Sequence, residues 1–504
     1  MANLFDSMMN NLYSGIAQNL SRYLQDPIGR KSSILEAYFN GDQRRQLKTA
    51  QDPKTGQEIN DNVILNNIGL VVQRSTSRLF KGGVKFKLPE GSDAQQEYLD
   101  RVWDLNKKEI ILFHNGLLGA THGTVYFKIV PDGILDPYTG QPYPRLIPIS
   151  HRIIRVKTHP EDVNEVEEYR IEYVCNEERN GRMVDVTHRE ITKHPTQDVQ
   201  DGDIRYTSEM ETWVIETWEQ VGGAPFQMTY QENWNYNFPP IIHWQNLPVL
   251  EGVYGDSEID DLINPQDKIN FTVSNTGKII KFHASPTIVL TGTTAAQVQA
   301  IDAAIGQMMA VPDKDAKVQV LEAASDLASS RLFAQDLKDD LFNIAREPNV
   351  SIDKMGAFTN FALRILYADA LDKNDTKRQL YGDALLELNR RLLVLAGYTG
   401  EASRPGTIQW GEVLPINATE ELAADKVALD MGIIDKESLA AKWFVRYGVD
   451  WETIQANNDK NKPDITPDVM PQDNTIQDNQ KGTQDANMSD MQPQRQAGDS
   501  QRLS

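Results

Sequence analysis

The chain has 504 residues, 51 Lys and Arg against 72 Asp and Glu, a net charge of −21 and a single cysteine, Cys175. That length and 40% hydrophobic content exclude a small disulfide-stapled protein and wholesale disorder. The acidity argues against a tight nucleic-acid clamp, because affinity for phosphate backbones comes from clustered Lys and Arg.

The first six residues, Met1-Ala-Asn-Leu-Phe-Asp6, lack a basic stretch followed by an apolar one, and no run approaches the roughly 18 apolar residues of a membrane span. The expectation is a soluble protein without an export signal. Residues 1 to 48 read as helical, with Leu12, Ile16, Leu20 and Leu24 on one face, then Ile34, Leu35 and Tyr38. A second helix is predicted over Val63 to Phe80, ending at Gly82-Gly83 and passing into the alternating strand Val84-Lys-Phe-Lys-Leu88. Tyr98 to Ala120 reads as one amphipathic helix, Thr124 to Val130 as a strand and Arg145 to Lys157 as a further strand region. Between Glu167 and Pro248, strand patterns at 169–174, 211–218 and 226–230 predict an antiparallel meander.

From Gly255 to Gly397 the character switches to long helices. Asn264 reads as an N-cap with Pro265 at the first helical position, and Pro265 to His283 would span about 28 Å. Thr287 to Leu290 reads as a strand, and Ser325 to Glu347 as a second long helix facing inward through Leu337, Leu341, Ile344 and Ala345. After a loop at 349–356, a third helical pattern runs to Gly397 with a kink expected at 372–375 and a core face of Tyr381, Leu385, Leu388, Leu392 and Leu395. A return strand at 407–410 and a helical unit at 419–444 follow. No aromatic residue occurs after Trp451, and 457–504 reads as a disordered tail. From Glu452 onward the chain carries −4, leaving −17 in the body.

Catalytic motifs are mostly missing. There is no GxxxxGK[ST] phosphate loop, no HExxH, no paired CxxC and no EF-hand loop, and the eight His never take metal-ligand spacing. Gly255-Asp-Ser257-Glu-Ile259 approaches a nucleophile elbow but ends in Ile, so a turn leading into a helix is expected. The acids Asp256, Glu258, Asp260 and Asp261 allow a divalent-metal site, but acids ahead of a helix also complement its dipole, and that reading is preferred.

The order of elements resembles the portal proteins of tailed bacteriophages. The resemblance rests on His243-Trp-Gln-Asn-Leu-Pro248, Gly252-Val-Tyr-Gly-Asp-Ser-Glu-Ile-Asp-Asp-Leu-Ile263, Gln266-Asp267 with Asn270, and Ala284-Ser-Pro-Thr-Ile-Val-Leu290. It continues through Phe361-Ala-Leu-Arg-Ile-Leu366, Lys377 and Leu385-Leu-Glu-Leu-Asn-Arg390. It implies an α+β portal fold: wing 1–255, first stem helix 256–283, clip 284–324, second stem helix 325–347 and tunnel loop 348–357. A kinked wing helix 358–398, a wing return strand 399–416, a crown 417–451 and the tail 452–504 follow.

The same resemblance implies a non-enzymatic, cofactor-free, dodecameric ring at one capsid vertex, assembled in the host cytoplasm, through which double-stranded DNA is packaged and ejected. Its implied partners are the large terminase subunit, the major capsid and scaffolding proteins and head-completion or tail adaptors, with no membrane insertion. Lys354, Lys338, Arg331, Lys278 and Lys281 are the candidate channel residues, and Asp313, Lys314, Asp315 and Lys317 the candidate motor- or adaptor-binding residues of the clip. The alternatives are a cytoplasmic metal-dependent hydrolase or nuclease using Asp256 to Asp261, or another virion neck protein.

Overall fold

The computed structural model describes residues 26–44, 47–51, 58–179, 181–201, 204–209, 212–284, 288–291, 308–311, 327–349, 360–414, 418–447 and 455. The chain divides into two compact units, 1–417 and 418–504. In the first, α1 (Pro27–Phe39) starts on Asp26, whose carboxylate accepts from the Ile28 N–H, with Pro27 at the first helical position. α2 (Asn67–Phe80) is capped by Asn66, whose side chain accepts from Gly69 N–H, and leads into β1 (Val84–Lys87).

The single helix expected over 98–120 is two: α3 (Asp93–Leu105) and α4 (Lys108–His122). Lys107 takes a left-handed φ of 55° at the break. The Asn106 amide explains it, donating to Val102 and Pro144 carbonyls and accepting from Leu146 N–H. A buried side chain that satisfies three backbone groups holds the corner against helix propensity.

Further strands and helices follow in this unit. The strands are β2 (Thr124–Leu135), β3 (Pro142–Pro148), β4 (Ile154–Thr158), β5 (Val166–Arg179), β6 (Arg182–Lys193), β7 (Trp213–Val221), β8 (Gln227–Trp234) and β9 (Ile241–Gln245). β8-β7-β6-β5-β4 form one antiparallel sheet and β9-β2-β3 another, in agreement with the expected meander. Two long helices follow, α5 (Ile263–Ala284) and α6 (Leu327–Ile344), with short parallel strands 288–291 and 308–311 between them. α7 (Asn360–Leu366) and α8 (Ala368–Leu395) come next, and β10 (Thr407–Trp410) pairs antiparallel with β1. The second unit contains α9 (Ala418–Asp430) and α10 (Lys436–Tyr447).

Three expectations are corrected by these bounds. Asn264 is not an N-cap, because a 3-10 turn at Asp260–Leu262 runs straight into α5 and places Asn264 and Pro265 inside its first turn, where Pro still costs no hydrogen bond. The break in the third helical pattern falls at Tyr367, not at 372–375, which lies in regular helix. Ile344 is 52% exposed, so the inward face of α6 runs through Leu337, Leu341, Phe342 and Ala345 instead.

Tyr381, Leu385, Leu388 and Leu392 of α8 are fully buried, as periodicity predicts, against Trp103, Phe127 and Trp244. A second cluster joins α1, α2, the start of α5 (Ile263, Ile269) and the end of α6 (Leu341, Phe342, Ala345), so the two long helices form an antiparallel hairpin rooted in the body. A third fills the space under the five-stranded sheet with Tyr126, Tyr169, Trp213 and Trp234. Cys175 lies half-buried on β5, where burial pushes its thiol pKa up. Among the described residues no helix is long and apolar enough to cross a membrane.

Candidate functional site

Four of the nine candidate residues lie on the helical hairpin. Lys278 and Lys281, one turn apart on α5, both reach the segment ahead of α2: Lys278 Nζ donates to Asn62 Oδ1 at 3.0 Å and Lys281 Nζ pairs with Asp61 Oδ2 at 2.8 Å. Both are exposed, so the ion pair contributes little to stability, about 0–1 kcal/mol. On α6, Arg331 is exposed, and Lys338 holds its ammonium 6.0 Å from the Phe342 ring centroid, one turn along. Lys338 lines a groove of about 910 Å³ with Ile269, Val273, Phe342 and Leu366. Lys354, Asp313, Lys314, Asp315 and Lys317 lie outside the described residues, as does the tail 457–504.

The acidic run does not converge on a metal. Glu258 turns into the core, Asp260 points out to Lys31 at 2.6 Å, and Asp256 accepts from Ser257 N–H. Among the described residues no group of three or more His, Cys, Asp or Glu is placed to hold a metal ion. Ser257 is a structural turn residue, since its hydroxyl donates to Thr121 O at 2.6 Å and accepts from Ile259 N–H. Gly255 passes against Gly123: a Cβ on Gly255 would lie 2.3 Å from Gly123 O, and Gly123 itself has φ 86°. That contact of two backbones lets the chain turn Glu258 inward, with its N–H on Ala120 O.

Where Glu258 arrives, sequence reasoning missed a buried charge cluster. Lys377 Nζ lies 2.5 Å from Glu258 Oε1, and Lys373 Nζ lies 3.0 Å from Glu258 Oε2, 3.2 Å from Glu347 Oε1 and 2.7 Å from Ala345 O. Arg78 closes a two-pronged pair on Glu347. Burial alone would raise the Glu258 pKa; the two ammoniums reverse this and hold it well below the usual carboxylate range. Burial depresses the Lys377 pKa against the pull of Glu258; burial also works to lower Arg78, but its hydrogen bond to Glu347 and the attraction of the nearby negative charges together raise it.

A second buried network anchors the start of α5. Gln266 donates to Leu65 O and Asn270 Oδ1, Asn270 accepts from Leu65 N–H and donates to Gln43, and Tyr38 donates to Asp267 at 2.5 Å. Ser274 accepts from Val63 N–H and returns its hydroxyl to Val63 O. Backbone groups of an irregular segment thereby find partners without a strand to pair with.

One signal for the lysines was available in the sequence. Lys377 stands four residues before Tyr381, and Lys373 four before that, so both extend the apolar stripe of α8. A lysine in a core stripe calls for a buried acid. Glu258, 119 positions away from Lys377, was assigned instead to a helix dipole.

Asn246, whose amide donates to Glu258 Oε1, joins Glu258, Gln266, Asp267, Asn270 and Lys377 as buried polar residues within the segments that carry the portal resemblance. No curated protein matches the chain by sequence similarity. The family profile described as phage portal protein, SPP1 Gp6-like, matches residues 9–464 and thus nearly the whole chain, including every element that builds the hairpin and its root. The chain therefore belongs to the phage portal protein family, a structural family of the virion that serves DNA packaging.

Proposed function

We propose that this chain is the subunit of a dodecameric ring at one capsid vertex, forming the channel for double-stranded DNA during packaging and ejection. The family match over 9–464 is the observation that carries this reading. In it, α5 and α6 are the stem, 284–324 the clip that receives the large terminase subunit and later the head-completion or tail proteins, and 348–357 the tunnel loop. Residues 1–255 with 358–416 form the wing and 417–451 the crown. Capsid and scaffolding proteins surround the ring, which is built in the host cytoplasm. The terminase supplies ATP hydrolysis, in keeping with a chain that has no phosphate loop.

Charge supports a conduit over a clamp. A subunit of net charge −21 repels phosphates on average, and the Lys281 ammonium is already met by Asp61. Lys354, Lys338, Arg331, Lys278 and Lys281 then guide the duplex without holding it, and Asp313, Lys314, Asp315 and Lys317 present mixed charge to the motor. Electron microscopy of the purified full chain tests the reading: rings with an axial hole are expected, and a monomer at micromolar concentration overturns it. In packaging assays Lys354→Ala should lower the DNA retained while rings persist. Unchanged packaged length and yield would remove Lys354 from the guiding set.

A further inference from the structure

Arg78, Lys373 and Lys377 bring three cations to two carboxylates, all five side chains being at least nine-tenths buried. Neutrality needs only two of them: Arg78 on Glu347 and Lys377 on Glu258 each make a complete pair. The third cation is an added desolvation cost, so its presence needs a reason other than charge balance.

The positions of the carboxylates supply that reason. Glu258 lies five residues before α5 begins and Glu347 three residues after α6 ends, so they mark the two roots of the helical hairpin. Among the described residues Lys373 is the one side chain in ion-pair contact with both. Its ammonium donates to Glu347 Oε1 and to Ala345 O, a carbonyl freed by the end of α6, and it meets Glu258 Oε2 as an ion pair, so all three contacts act on the roots.

The backbone beside it is bent to fit. α6 ends with Glu347 N–H on Phe342 O and Arg346 N–H on Asn343 O, the double bond of a Schellman turn. Its left-handed position is filled by Arg346, with φ 54°, where glycine is the usual residue. That turn delivers Glu347 to Arg78 and Lys373.

We propose that Lys373 is a positioning residue that ties the two roots of the helical hairpin to each other and to α8, setting where the hairpin stands on the body. The proposal deepens the portal reading, in which this hairpin is the stem facing DNA, and rests on it for that consequence. A structural core lysine would act on the whole fold. A bridging lysine acts on the hairpin, because its removal leaves both remaining pairs intact.

Hydrogen exchange on the full-length protein, in whatever assembly it forms, tests the difference. In Lys373→Met, amides of 263–275 and 336–347 should exchange at least tenfold faster, with the β4–β8 sheet unchanged. Lys373→Arg, which keeps enough donors to span both carboxylates, should restore most of the protection. If Lys373→Met fails to fold, Lys373→Gln keeps one donor for Ala345 O while removing the charge, and the same pattern is expected. Equal acceleration in the sheet, or none at the roots, overturns the proposal. Particle images of the same samples separate the two ideas: a monomer with selective root exchange overturns the ring and leaves the bridge standing.

Discussion

The five-stranded sheet and the root of the hairpin both carry many charges, yet they use them in opposite ways. On the sheet, Arg179 meets Glu177 and Glu219, Arg189 meets Glu172, and Lys193 meets Glu216, mostly part-exposed partners on the same strand or one or two strands away. Water already solvates such charges, and strand register alone brings them together. At the root, Arg78, Glu258, Glu347, Lys373 and Lys377 come from four segments up to 299 residues apart and lose nearly all contact with water. Local pairs decorate a fold that would form without them. The buried set has no stable arrangement except the native one, which makes it a device for fixing geometry.

Deleting one partner at the root is the largest break in that comparison. Glu258→Ala strands the buried Lys377 ammonium and leaves Lys373 with Glu347 alone, and it should lower the unfolding free energy by about 3–5 kcal/mol, measured by denaturant unfolding. A loss below 1 kcal/mol would place the root in the same class as the sheet.

Acid should separate the regions by pH. Burial lowers His243 to about 4 and His151 to about 3, in the core beneath the sheet, where His243 Nδ1 lies 2.7 Å from the Tyr169 hydroxyl and His151 Nδ1 lies 2.8 Å from that of Tyr126. Below pH 6.5 an unfolded chain takes up protons that the folded histidines refuse, so stability falls as pH drops through the window from 6.5 to about 4. At pH 5 each histidine should favour unfolding about tenfold or more over pH 7. The contribution of Glu258, whose folded pKa is depressed, stays in place until pH falls below the 4.5 of an unperturbed Glu. Exchange in β4, β5 and β9 should therefore rise at pH 5 before exchange at 258 and 377; the reverse order would contradict the assignment.

Arg346→Gly should stabilise the chain by about 1 kcal/mol, since glycine takes the left-handed conformation without the Cβ clash. A destabilised variant would show that the Arg346 side chain holds the turn. The smallest effect is expected on the sheet, where Arg179→Ala should cost under about 1 kcal/mol in the same unfolding measurement.

Much of this was legible from local pattern. The period of two that predicts the meander and the period near 3.6 that predicts the α8 core face both report which side chains must leave water, and the folded chain places them so. Breaks in helices were less legible. The corner at Asn106 exists because Pro144 and Leu146, some 40 residues on, offer backbone groups to its amide. The break at Tyr367, in place of the one expected at 372–375, follows the same logic, because Lys373 is held in regular helix by Ala345 O and Glu347, just past the end of α6.

By itself the sequence determined that the chain folds, that its elements run from helices through a meander to long helices, and that it resembles portal proteins, because burial patterns and turn residues act over a few positions. Only the tertiary structure decided what the charged residues do. It turned Glu258 from a helix-start acid into a buried partner of two lysines, scattered the acids that had suggested a metal, and set Lys373 between the two ends of a hairpin. Electrostatic energy depends on distance and on the exclusion of water, and neither quantity exists until the segments have packed.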